Sequence, residues 1–263
     1  MAAMLSGKCA LITGATAGLG LAIAEGLAAQ GCNIIVNGIA SAEQGDAAQR
    51  KLAEDHFVDA IYLKADISQL GEIEKLIDEG VKCFGGIDIV VNNAVVRHFA
   101  SIEKLAPAEW EQSLAVNLSA PFHIVRLVLP IMRERGWGRI FNLSSYYGSH
   151  GAENRIGYVT TKTALIGMTR AIALEVDGQD ITCNAICPGT LPTPDIMERI
   201  DRLATVNGIG KHEASRQYLA GRRPRGRFVE LESVARLIVF LCGPGSRDIT
   251  GAILPVDGGW TAT

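Results

Sequence analysis

The chain alternates short apolar runs rich in β-branched residues with longer stretches that carry a helical pattern. The runs are KCALIT (8–13), NIIVN (33–37), AIYLKAD (60–66), IDIVVNN (87–93), GRIFNLSS (138–145), ITCNAICPG (181–189) and GAILPVD (251–257). Each of the first six is followed by a helix-like segment or a loop. Strands that are apolar on both faces need cover on both sides, which predicts a parallel sheet flanked by helices. The expected fold is α/β: a single-domain doubly wound Rossmann fold with a seven-stranded parallel sheet and helices on both faces. Ligands in such sheets lie beyond the carboxyl ends of the strands, so function is to be sought in the residues just after each run.

At 263 residues, 48% hydrophobic and 20% charged, the chain suffices for one large core and has no low-complexity linker, so residues 1–263 are expected to form one domain. A net charge of −3 with mixed signs offers no broad basic field for nucleic acid and no polybasic membrane arm. The N-terminus lacks the pattern of a signal peptide, and the most apolar long window, Cys9 to Ala29, is interrupted by glycines and Glu25. The six cysteines, Cys9, Cys32, Cys83, Cys183, Cys187 and Cys242, include no C-x-x-C pair. That usage fits reduced thiols in a cytoplasmic protein without a metal centre.

Chemistry-bearing residues collect after the strands. TGATAGLG (13–20) opens the first helix, where glycines permit close backbone approach to a phosphate and the helix terminus offers free N–H groups. Asp66 follows the third run, Asn92 and Asn93 end the fourth, Asn117 interrupts an apolar helix, and Ser144 and Ser145 end the fifth. Tyr158 and Lys162 stand four residues apart, on one face of an apolar helix. Taken singly, each has an ordinary reading: turn or cap chemistry, a locally bonded helix Asn, or a lysine stem passing an aromatic neighbour.

As a set, TGATAGLG, NNAV (92–95), NL with Asn117, Ser145, YVTTK (158–162) and CPGTLPT (187–193) resemble the short-chain dehydrogenase/reductase family, from about Leu5 to the end. The resemblance implies a catalytic tetrad of Asn117, Ser145, Tyr158 and Lys162. It implies a dinucleotide site formed by Gly14, Thr16, Gly18, Leu19, Gly20, Asn37, Asp66, Ile67, Asn93, Ala94, Tyr158, Lys162, Pro188, Gly189, Leu191 and Thr193. Tyr158 would be the general acid/base, which requires its pKa to fall from about 10 toward neutrality. A three-unit shift is about 4 kcal/mol, within reach of the nearby Lys162 ammonium and a cationic nicotinamide ring. Lys162 would also bond the nicotinamide ribose, Ser145 would hold the substrate oxygen, and Asn117 would help order a proton-relaying water. Asn37, at the end of the second strand, is neither the acid of an NAD site nor the base of an NADP site, and Ala17 stands where phosphate-selective members carry a base. NAD is therefore expected in preference to NADP.

Within the family, NIIVNG, NLSAPFH, ITCNAICPGT and VDGGWTA resemble the D-3-hydroxybutyrate dehydrogenase branch. Where that branch holds a carboxylate with Gln, His, Lys and Gln, this chain has Arg97, Tyr147, Arg155 and Arg199. Thr190 replaces a tryptophan, Trp260 matches one, and Val95 replaces a glycine near the nicotinamide. The expected substrate site is Arg97, Ser145, Tyr147, Arg155, Arg199 and Trp260, for a small anionic hydroxy or oxo acid, unless the arginines pair locally with Glu153 or Glu198. Residues 190–227 resemble a substrate lid carrying the basic stretch GRRPRGRF (221–228). Reduction of a 3-oxoacyl carrier or coenzyme A thioester, a sugar-acid or polyol dehydrogenase, and a nucleotide-sensing scaffold are the alternatives. Relatives imply a homotetramer built on the helices around 107–133 and 156–176.

Overall fold

All seven apolar runs are strands. They are Cys9–Ile12 (β1), Asn33–Gly38 (β2), Ala60–Lys64 (β3), Ile89–Asn92 (β4), Gly138–Leu143 (β5), Ile181–Pro188 (β6) and Ile253–Val256 (β7). The computed structural model describes residues 3–220 and 226–262, with the backbone alone at Asp195. The strands form one parallel sheet in the order β3-β2-β1-β4-β5-β6-β7. The chain starts mid-sheet, winds to one edge, and returns past β1 to the other. That reversal opens a crevice beyond the carboxyl ends of β1 and β4.

Alternation along each strand divides the core in two. Ala10 and Ile12 of β1, with Ile34 and Val36 of β2, pack against Gly18–Ala28 (α1) and Leu231–Cys242 (α9). Leu11, Ile35 and Val90 face the other way, against Leu70–Phe84 (α3) and Ala120–Glu134 (α5). Ala42–His56 (α2) covers β3 beside α1.

Pro107–Leu114 (α4) runs into α5 through a π-helical turn, Ala115–Ser119. The continuous helix Pro107–Glu134 is long and apolar enough to cross a membrane, but Val116, Ala120, Ile124 and Val128 of its inner face belong to the core. Ile156–Glu175 (α6) lies along the same side of the sheet. In the stretch expected to form a lid, Pro194–Asn207 (α7) and Lys211–Leu219 (α8) form a helical pair. Of the basic stretch 221–228, residues 221–225 lie outside the described residues.

A charged knot closes the amino ends of the strands. Asp88, fully buried, accepts from Cys9 N (2.9 Å), Arg135 Nε (3.0 Å) and Lys8 Nζ (3.3 Å). Beside it the Arg139 guanidinium bonds Asp180 Oδ1 at 2.9 Å, and Arg139 and Lys8 both stack on Trp137.

Candidate active site

The glycine-rich turn is held in shape from below. Gly14 and Gly18 take φ of +62° and +60°, a region L side chains avoid. A Cβ on Gly20 would collide with Gly14 O and the Asn93 amide. Thr13 Oγ1 accepts from the backbone N–H groups of Asn93 and Ala94, both at 3.0 Å, while Asn93 Nδ2 donates to Thr13 O and Gly14 O at 2.9 and 3.0 Å. The N-cap of α1, Ala17, has no side-chain acceptor, so it leaves the helix's first-turn N–H groups to the crevice.

That crevice is a cleft of about 480 Å³ running from Gly18, Ile39 and Asp66 at one end, past Asn93, to Ser145, Tyr158 and Lys162 at the other. At its inner wall β5 and α6 are joined twice. Lys162 Nζ donates to Leu143 O at 2.5 Å, and Ser144 Oγ donates to Lys162 O at 2.7 Å. Ser145 caps the single 3-10 turn Tyr146–Gly148, accepting from Tyr147 N at 3.2 Å.

Tyr158 and Lys162 share the inner face of α6, both buried, with Lys162 Nζ 5.8 Å from the centre of the Tyr158 ring. Arg97 lies over the same ring, its Cζ at 5.3 Å. Burial, with the Arg97 charge as a second cause, pushes the Lys162 ammonium down to about 7. Burial thus opposes the full positive charge expected of Lys162.

Asn117 sits in the π turn and is buried. Its Oδ1 accepts from Val96 N at 2.9 Å and its Nδ2 donates to Val96 O at 3.0 Å. This two-way bond fixes the segment that carries Val95, Val96 and Arg97 into the cleft. The amide thereby positions the loop that carries Arg97.

A buried cation beside a phenol, a carbonyl-anchored lysine and a glycine cradle at a helix start form one continuous cleft. A profile of the family described as Enoyl-(Acyl carrier protein) reductase matches residues 14–261. The chain belongs to the short-chain dehydrogenase/reductase family. It is similar to D-beta-hydroxybutyrate dehydrogenase of Cupriavidus necator, at 42% identity over 260 residues, 98% of this chain and 100% of the relative. The enzyme of the same name from Rhizobium meliloti is 36% identical over 97% of this chain and 99% of its own. Among solved structures, L-sorbose reductase from Gluconobacter frateurii, complexed with NADPH and L-sorbose, superposes with a TM-score of 0.95 at 31% identity, covering 100% of both chains. The chain is accordingly an NAD(P)-dependent oxidoreductase that interconverts a secondary alcohol and a ketone.

Most residues expected from the family motifs line the cleft: Gly14, Gly18, Leu19, Gly20, Asn37, Asp66, Ile67, Asn93, Ala94, Pro188, Gly189, Leu191 and Thr193. Thr16, Asn37 and Asp66 also make contacts within the protein. Thr16 does not line the cleft and packs instead toward Gly38, its methyl 3.2 Å from where a Gly38 Cβ would stand. Asn37 lines the cleft, but its Nδ2 donates to Leu63 O and Ala65 O, both at 3.2 Å, so this group ties β2 to the end of β3. Asp66 Oδ1 accepts from Ser68 N at 2.9 Å, which commits one carboxylate oxygen to a turn.

Of the expected substrate residues, Arg97, Ser145, Tyr147 and Arg155 line the cleft, while Arg199 and Trp260 stand one layer behind. Arg199 lies over the ring of Phe99, its Cζ 4.4 Å from that ring's centre. Trp260 packs edge-on against Tyr146 and Tyr147 at 4.4 and 6.1 Å. Glu198 pairs with Arg202, and among the described side chains no carboxylate forms an ion pair with Arg97, Arg155 or Arg199. Reading by motif missed Thr13, Ile39, Gln112 and Tyr218. Thr13 opens the recognised glycine-rich stretch without being assigned a role, whereas the other three lie in segments without a signature.

Proposed function

We propose that the chain is an NAD-dependent dehydrogenase of a small anionic hydroxy acid, running in reverse as a reductase of the matching oxo acid. The observation that carries this reading is the pair of guanidiniums, Arg97 and Arg155, which line the reacting end of the cleft without a carboxylate partner. Arg97 sits over the Tyr158 ring, so a carboxylate bound to it stands beside the proton-transfer group.

The cleft suits a nicotinamide dinucleotide. Its helix-start N–H groups and glycine backbone meet a pyrophosphate, and Lys162 spends one N–H on Leu143 O, leaving two for ribose hydroxyls. When bound, the dinucleotide accepts or returns the hydride. The remaining work falls to the tetrad. Ser145 donates to the substrate oxygen and holds it against Tyr158. The Tyr158 oxygen takes the hydroxyl proton as the C–H hydride departs, and gives it back in the reverse direction. Lys162 and Arg97 supply positive charge to that phenol oxygen when it carries a negative one, and an anion on Arg97 favours the charged form of Lys162. Asn117, through Val96, keeps Arg97 in place.

NAD fits better than NADP because no Lys or Arg lines the adenosine end, where Gly38 and the exposed Ile39 follow Asn37. Exposed Phe122, Ile156, Leu174 and Phe240 on α5, α6 and α9 fit helix-to-helix association into a homotetramer. The test is a screen of purified protein against hydroxy acids, sugar acids, sulfonates and polyols with each dinucleotide, following reduced cofactor by absorbance. A neutral polyol as best substrate, or a preference for NADPH, overturns the corresponding part.

A further inference from the structure

Beside the cleft, positive charge gathers on Arg155, which lines it, and on Arg199, one layer behind. Arg155 and Arg199 both lie over the ring of Phe99, their Cζ atoms 4.8 and 4.4 Å from its centre. Phe99 is half-exposed, in the segment after Arg97, and the neighbouring Ala100 forms a parallel bridge with Arg155. Arg199 belongs to α7, in the lid. One phenyl ring therefore joins the loop after β4, the loop before α6 and the lid through two guanidiniums.

Stacking occupies the face of a guanidinium and leaves its N–H edge, the part that grips an oxyanion two bonds at a time. The two like charges on one ring repel, and among the described side chains no carboxylate forms an ion pair with either guanidinium. Two cations gathered beside the cleft without such a partner are completed by an anion from solution.

Resting on the anionic-substrate reading above, we infer that Phe99, Arg155 and Arg199 form a second anion subsite, and that the substrate is a hydroxy or oxo acid with two acidic groups. Its first carboxylate meets Arg97 beside Tyr158, and its second, a carboxylate or a sulfonate, meets the Arg155–Arg199 pair and draws the lid onto the body. Phe99 touches neither reacting atoms nor cofactor and acts as a positioning residue, holding the two guanidiniums at a common height.

The test uses matched substrates that differ in the second acidic group: 3-hydroxybutyrate against 3-hydroxyglutarate, and lactate against sulfolactate. The dianion of at least one pair should show at least about tenfold higher kcat/KM at low ionic strength, an advantage that shrinks with added salt. Which pair shows it separates carboxylate from sulfonate. Arg199→Ala and Phe99→Ala should each cut kcat/KM for that dianion about tenfold or more, through KM with kcat within about threefold, and lower the dianion-to-monoanion ratio of kcat/KM about tenfold. Phe99→Tyr, which keeps the ring, should restore the wild-type preference. Equal losses on both members of a pair, or no dianion advantage at all, overturns the inference. Arg97→Ala is the control on the reading beneath it: a loss on both members leaves the anionic acid standing, whereas no loss on either removes that reading as well.

Discussion

Replacing Lys162 with methionine should make the ligand-free protein more stable while stopping the reaction. The side chain is buried, and its ammonium is held at about 7 against an ordinary 10.5. At pH 6 both folded and unfolded chains carry the proton, and keeping that charge buried costs about 5 kcal/mol. Between pH 7 and 10.5 the unfolded chain binds the proton more tightly, so wild-type stability rises with pH and the cost falls to about 2 kcal/mol at pH 9. Methionine has similar length and no charge, and it forfeits the bond to Leu143 O, worth about 1–2 kcal/mol. The variant should therefore be more stable by about 3 kcal/mol at pH 6, a rise of roughly 6–12 °C in Tm, and nearly level with wild type at pH 9. Thermal unfolding without dinucleotide at the two pH values measures both numbers. A variant less stable than wild type at pH 6, or a gap that does not change with pH, refutes the assignment of Lys162 as a charge held against desolvation.

Tyr158→Phe should lower kcat by about 10²–10⁴-fold with dinucleotide affinity within about threefold, as read by fluorescence titration of the reduced cofactor. Asn117→Ala releases Val96 and should lower stability by about 1–3 kcal/mol and raise KM for the acid more than for the dinucleotide, since Arg97 loses its support. Asp88→Asn leaves Lys8 and Arg135 facing an amide and should cost about 3–5 kcal/mol in denaturant unfolding, with kcat/KM unchanged at room temperature. Ile39→Arg should narrow the ratio of kcat/KM for NAD over NADP by about tenfold in steady-state assays.

The fold was legible because strands buried on both faces write themselves as unbroken apolar runs, and here seven such runs became seven strands. Tyr158 and Lys162 were legible from helical spacing taken with the other family motifs, and the glycine turn from its place between a strand and a helix. What escaped was decided by backbone geometry or by contacts between distant loops. Nothing in AVNLS announces a π turn, yet that turn is where the Asn117 amide grips Val96. The place of Asn37 at a strand end is legible and it lines the cleft, but the tie of its amide to Leu63 O and Ala65 O is set by the neighbouring strand and the residue after it. Phe99 lies in an irregular segment with no periodicity, so its two arginine neighbours, drawn from residues 155 and 199, could not be foreseen.

The charged knot around Asp88 has a bearing on how such an enzyme can change. It grips the sheet at the edge opposite the reacting groups, a full strand length away, and shares no side chain with them. Substitutions that retune substrate choice around the cleft should therefore combine additively with ones that tighten the distal anchor. A destabilising gain in selectivity at one pole can be offset at the other, which leaves this scaffold free to explore new substrates without unravelling.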